Sequence, residues 1–422
     1  MDENMTKILK ISLISIVSLV LVVYGGVFLG YKALVKQEHP EAPNAPTVEP
    51  SNEPVTNGRF TFGPQAHASH PTTLKEFMPT LAKQLATYNK VAPDLWPGNT
   101  NVNQTLVVED LTNGTYWLIK PDGAFAEVRE KDVEHYGYER LAYPNGFSFF
   151  TGGMYLALDE QELADPSSWQ KYLHLGSYDA IIWLIHEGFH EAQRAWAERA
   201  LTNGDREDHL DDVPARIQRA QLQKQLFHAV SHPGDTEAIL AALATYEDWK
   251  TRFPQDYEDS LNADRYEGTA LYYEMVASLL VGYPDQVKNL KDVDDALTLL
   301  ATREDAHLGH GLVIEGYSIG GFASVILDRL DPEWKQRLMA EPAATPIELL
   351  RQHFADQKLP TPAQFSQVEI DEITKNIAAT GQEVTINQEV MNEDTAPEVK
   401  ERTLTKVVRY LYEHLYWWLP AK

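Results

Sequence analysis

An α+β chain is expected, with a mixed α/β N-terminal half, a mainly helical C-terminal half and one transmembrane helix ahead of both. Three observations predict it. Short strand-like runs separated by Asn113-Gly114 and Asp122-Gly123 occupy 104–128, the pattern of strands joined by tight turns. Beyond Tyr178 the apolar residues recur at three- and four-residue intervals, which is the spacing of a helix face. Near the start, 11–31 is a run of 21 residues without a charge, enough for a helix to cross a hydrocarbon core of about 30 Å.

The elements follow in order. A short tail over 1–10 precedes the anchor at 11–31. Its bulky residues Leu21, Val22, Val23, Tyr24, Phe28 and Leu29 leave no small-residue cleavage site, so the span is expected to persist. Lys7 and Lys10 on one side balance Lys32 and Lys36 on the other; the short stub alone favours an extracytoplasmic body. Residues 32–57 are rich in Pro and Glu and read as an extended tether. The body spans 58–365. It holds a helix over 74–88, strands over 104–109, 116–120 and 124–128, an apolar strand over 147–158 and a helix over 179–200. Further helices are expected over 213–230, 235–250, 265–280, 293–302, 311–327 and 346–354. An acidic, polar segment follows at 366–403, then an amphipathic aromatic helix at 404–419 that is too short for a second span.

Charge narrows the partners. The chain carries 62 acidic against 36 basic residues, a net charge of −26, and no stripe of Lys and Arg that would follow phosphates. Nucleic acid is therefore not an expected partner. Gly152-Gly153 and Gly320-Gly321 stand without phosphate-loop spacing, so a dinucleotide is not expected either. With no cysteine, neither a lipid-bearing N-terminal cysteine nor a disulfide framework is available.

The chemistry concentrates in His186-Glu187-Gly188-Phe189-His190. Histidines four apart lie on one helical face about 6 Å from each other, close enough for both imidazoles to converge on one zinc ion. Glu187 then sits beside the metal without occupying it. Composition alone gives roughly 0.04 chance occurrences of such a motif in a chain of this kind. Leu184, Ile185 and Phe189 supply an apolar side to the helix, while Glu191, Gln193 and Arg194 read as its wet side.

A catalytic zinc needs a third protein ligand and an open position. Trp196 occupies the place where a metzincin would have its third histidine, which excludes that arrangement. The leading candidate is Glu267, on a helix with Leu271, Met275 and Leu279 as its apolar members. The competing source is the acidic run from Asp205 to Asp212, which includes Glu207, Asp208, His209 and Asp211 and lacks periodicity, as a solvated loop does. Glu274, seven residues beyond Glu267, is placed to orient a ligand imidazole through its outer N–H.

At these residues the chain resembles the gluzincins, zinc peptidases with His, His and Glu ligands that include thermolysin and the zinc aminopeptidases. His186, His190 and Glu187 match their helix motif, and Glu267-Gly268-Thr269-Ala270 matches the aminopeptidase pattern Glu-Gly-x-Ala. Gly152-Gly153-Met154-Tyr155-Leu156 partly matches their substrate-lining strand, with Tyr155 in place of its amine-binding glutamate. The resemblance implies a zincin-like fold, Zn2+ bound by His186, His190 and Glu267, and Glu187 as general base toward a water. It also implies a tyrosine as oxyanion donor after the third ligand. Tyr317 is the first choice because flanking glycines allow close approach; His310 and His307 are the alternatives.

The expectation is a membrane-tethered zinc metallopeptidase, single-pass and extracytoplasmic, with a peptide or protein substrate and the lipid bilayer as partners. Two alternatives belong to other classes: a zincin-like scaffold that binds protein without turnover, and a zinc hydrolase of a non-peptide substrate.

Overall fold

A five-stranded sheet forms one wall of the core. The protein is seen here as a computed structural model, which describes residues 55–62, 71–99, 102–141, 146–164, 179–197, 209–301, 311–362 and 364–393. Strands β1 (Val55–Thr56) and β2 (Thr61–Phe62) make a small antiparallel pair. The larger sheet contains β3 (Thr105–Asp110), β4 (Thr115–Ile119), β5 (Phe125–Val128), β6 (Phe147–Phe150) and β7 (Gly153–Leu158), in the order β5-β4-β3-β7-β6. Only β3 and β7 run parallel, pairing Leu106 with Met154 and Val108 with Leu156.

Alternation along these strands separates two environments. Leu106, Val108, Met154 and Leu156 enter the main core beside Leu184, Ile185 and Phe189. Val107, Tyr155 and Ala157 point into a second, smaller cluster with Tyr116 and Leu141. There Tyr155 donates to Glu109, which also pairs with Arg140. Tyr155 is therefore a packing residue on the sheet face turned away from the histidine helix.

The expected strand over 147–158 is a hairpin. Gly152 has φ +83° at its turn, a conformation glycine adopts without the clash a Cβ brings. A Cβ on Gly153 would stand 2.3 Å from the Thr105 carbonyl oxygen. β7 is flanked by both β3 and β6, leaving β6 as the edge strand on that side.

The helical region begins with α1 (Leu74–Leu95), which continues past the expected end and buries Leu81, Leu85, Tyr88 and Ala92. Short helices α2 (Glu130–Val133) and α3 (Glu160–Ala164) follow. Helix α4 (Asp179–Gln193) carries the histidine motif and stops seven residues before the expected 200. Trp196, three residues on, stacks against Trp96 inside the core.

The remaining elements are α5 (Val213–Ser231), α6 (Thr236–Arg252) and α7 (Pro254–Asn262). A π-helical turn over Ala263–Glu267 leads directly into α8 (Gly268–Gly282). Then come α9 (Leu290–Leu300), α10 (Leu312–Leu330), α11 (Trp334–Ala340), α12 (Pro346–His353) and α13 (Gln367–Glu393). Helix α8 is the hub: α10, α4 and α1 all pack on it, and its residues from Gly268 to Val281 are buried. Helix α13 occupies most of the acidic, polar segment at 366–403.

The transmembrane expectation is also corrected. Among the described residues, no helix is long and apolar enough to cross a membrane. The most apolar, α8, has 15 residues and is about 22 Å long at 1.5 Å per residue, short of a 30 Å core. Helix α10 has 19 residues but carries Glu315, Asp328 and Arg329. The segment 11–31, on which a bilayer partner and single-pass localisation rested, lies outside the described residues, as do 32–54 and 404–419. What stands is a mixed α/β core with a helical C-terminal region.

Candidate metal centre

Two helices bring the site together. Helix α4 presents His186 and His190, one turn apart, with ring centroids 4.9 Å from each other. Across the interface, Glu267 closes the π-helical turn at the start of α8. His186 Nε2 lies 3.5 Å and His190 Nε2 3.4 Å from Glu267 Oε2. The ligand atoms of the three side chains all fall within 4.8 Å of one another.

That geometry fits a metal ion. Donors about 2.05 Å from a tetrahedral zinc stand about 3.3 Å apart, close to the two separations seen here. Glu267 Oε2 is buried yet has no hydrogen-bond partner, an unfavourable state for a carboxylate oxygen unless a cation satisfies it. The three residues would supply two nitrogens and one oxygen, leaving a coordination position for water.

The electrostatics point the same way. Burial by itself would depress the His186 imidazolium, but the Glu267 and Glu274 carboxylates override it and push the pKa up to about 10. His190 is raised too: burial opposes its charged form, and Glu267 outweighs it. Burial would raise the Glu267 carboxyl, yet His190 and His186 hold it well below the usual range. Positive charge is thus favoured at this point. A divalent cation on neutral imidazoles supplies it as a proton does, and more strongly.

The outward nitrogens are occupied. His186 Nδ1 is 2.8 Å from Glu274 Oε2, so Glu274 takes the orienting position its spacing suggested. Burial pushes the Glu274 carboxyl up to about 7, with His186 pulling it back. His190 Nδ1 is 2.6 Å from Gln193 Oε1. Sequence reasoning missed Gln193 by placing it on the wet side of the helix; it is 3% exposed. Its position held the clue, because 186, 190 and 193 follow the i, i+4, i+7 spacing of one face.

Tyr317 comes from α10. Its ring stacks on His186 with centroids 5.7 Å apart and an interplanar angle of 19°. Burial, then the charge and hydrogen bond of Glu267, hold its phenol well above the ordinary value, so the proton stays on the oxygen. Glu187 is half-buried beside the first histidine. His310 and His307 lie outside the described residues, as do Asp205, Glu207 and Asp208. The described part of that acidic run goes elsewhere: Asp212 caps α5 through the Ala215 N–H, and His209 Nε2 is 3.3 Å from Asp259.

The turn that carries Glu267 is fixed by long-range packing. A Cβ on Gly320 would sit 2.0 Å from the Asp264 carbonyl oxygen, and one on Gly268 would sit 2.5 Å from Gly320 Cα. Only hydrogen at these positions lets α10 approach so closely. Behind the contact lies a buried ionic network. Arg219 binds both oxygens of Asp264, at 3.1 and 2.7 Å, and reaches Glu315 at 3.3 Å. Arg216 joins Glu315 to Asp256. Nothing in local periodicity signalled this network.

Comparison with family models, with curated proteins and with solved structures finds no match to this chain.

Proposed function

We propose that the chain is a zinc-dependent hydrolase, a metallopeptidase of the gluzincin kind, with His186, His190 and Glu267 as ligands. The supporting observation is the convergence of both Nε2 atoms on Glu267 Oε2, a buried oxygen that makes no hydrogen bond, with Glu187 next to the first ligand. Two histidines and a carboxylate also suit ferrous iron. A glutamate beside the first histidine and a protonated phenol near the third ligand favour hydrolysis, because they provide a base and a donor.

When bound, zinc would supply Lewis acidity, polarising the scissile carbonyl and making water more acidic. Glu187 accepts the proton of the attacking water and returns it to the departing amine. The Tyr317 hydroxyl, kept protonated by its surroundings, donates to the oxygen that gains charge in the transition state.

The test is hydrolysis of an unbiased peptide mixture by the full chain loaded with zinc. Glu187→Gln should retain zinc and lose at least about a hundredfold in rate, since the amide keeps the shape but cannot act as a base. Tyr317→Phe should keep zinc and substrate affinity and lower turnover by about a hundredfold to a thousandfold, the range for loss of an oxyanion donor. Undiminished cleavage by Glu187→Gln would overturn the mechanism. Stoichiometric zinc with no cleavage by the unaltered chain would leave a metal-binding protein without peptidase activity.

A further inference from the structure

We infer that Gln193 is a positioning residue for the metal centre, fixing the tautomer of His190 and tying it to the turn that carries Glu267. This inference rests on the proposed metal centre and extends it to a residue outside the ligand set.

The neighbours of the Gln193 amide fix its orientation. Its Nε2 lies 2.8 Å from the Tyr266 carbonyl oxygen, which can only accept a hydrogen bond. It also lies 2.9 Å from Thr269 Oγ1. That hydroxyl donates to the Arg265 carbonyl at 2.6 Å, so its oxygen is free to accept. Both neighbours therefore require the NH2 group at this end of the amide. Gln193 Oε1 is then the atom facing His190 Nδ1 at 2.6 Å. An amide oxygen has no proton to give, so Nδ1 carries the hydrogen. The lone pair of His190 is left on Nε2, the nitrogen turned toward Glu267.

The same amide joins two parts of the chain. One end holds the second histidine of α4, and the other holds Tyr266 and Thr269 on either side of Glu267 and Gly268. Gln193 is buried, so water does not compete for these bonds. The partner of His186 differs in kind: Glu274 is an acidic acceptor, whereas Gln193 is a neutral bridge from His190 to Tyr266 and Thr269. Its loss should disturb both the direction of the His190 lone pair and its register against Glu267.

Zinc affinity by chelator competition and the visible spectrum of the cobalt(II)-loaded full chain test this. Gln193→Met keeps the length of the side chain and removes its polar atoms. It should weaken zinc binding by about tenfold to a hundredfold, the usual effect of losing such a partner, and shift the cobalt bands. Thr269→Val removes one anchor of the amide while leaving the Tyr266 carbonyl. It should produce a smaller change of the same sign, and it decides the matter if Gln193→Met does not fold. Folded variants with unaltered zinc affinity and superimposable cobalt spectra would overturn the role of Gln193 while the metal centre stood. Failure of the unaltered chain to bind either metal would overturn the centre, and this inference with it.

Discussion

The two sides of the metal centre are built by different means. On one side, a regular helix places His186 and His190 by local spacing alone, since residues four apart share a face. On the other, Glu267 ends a π-helical turn whose position depends on α10 packed through Gly316 and Gly320 and on the buried Arg219–Asp264 pair. Helix π-bulges are uncommon and frequently occur at functional sites. The difference teaches that a ligand pair can be a property of ten residues of chain, whereas the third ligand is a property of the whole fold.

If so, damage to the packing behind the turn should spread to metal binding without touching a ligand. Arg219→Met should have the largest effect on stability, about 3 to 5 kcal/mol, because Asp264 would remain buried without the guanidinium that binds both its oxygens, while Glu315 would keep only Arg216. Zinc affinity should fall with it. Denaturant unfolding of the metal-free chain measures the first effect and chelator competition the second; a loss under about 1 kcal/mol would mean the network does not support the turn.

Gly320→Ala sharpens the comparison. The added Cβ would meet backbone at 2.0 Å, so α10 or the π-helical turn must shift, at a cost of about 1 to 3 kcal/mol for overpacking. Zinc affinity should drop while the helicity of α4 is retained. Unchanged stability and affinity would show that the close approach does not set the position of Glu267.

A separate effect is on protons. In the metal-free chain the His186 pKa is raised from 6.5 to about 10, so its contribution to stability is fully present below 6.5 and is lost as pH climbs through about 10. Zinc needs the lone pair that this proton occupies. Uptake of zinc at pH 7 should therefore release protons, and affinity should rise with pH. Calorimetry in two buffers of different ionisation enthalpy reads the release; a heat independent of buffer would contradict it.

Sequence legibility divides along the same line. Most of the expected strands and helices lie within a few residues of their observed positions, because turns at Asn113-Gly114 and Asp122-Gly123 and the helical period are local signals. The association of His186, His190 and Glu267 was legible as a hypothesis from motif and residue type. Its geometry was not. The π-helical turn breaks the period that placed a helix start at 265, and Arg216 and Arg219 gave no sign of being fully buried. Gln193 was misread because a polar residue near a helix end usually faces water, while here Tyr266 and Thr269 receive it. The single strand expected over 147–158 is a hairpin, and because the sheet has two covered faces, alternation turns Tyr155 to the one away from the histidines.

The central claim is that the regular helix and the π-helical turn meet on one ion, and X-ray absorption at the zinc edge of the loaded full chain tests it most directly. One zinc per chain is expected, with two imidazole nitrogens at about 2.0–2.1 Å and carboxylate or water oxygen at about 2.0–2.2 Å. In Glu267→Ala the two imidazoles should persist at reduced affinity while the oxygen contribution changes. A shell of oxygens without imidazole, or the same spectrum and affinity after Glu267→Ala, would contradict the account.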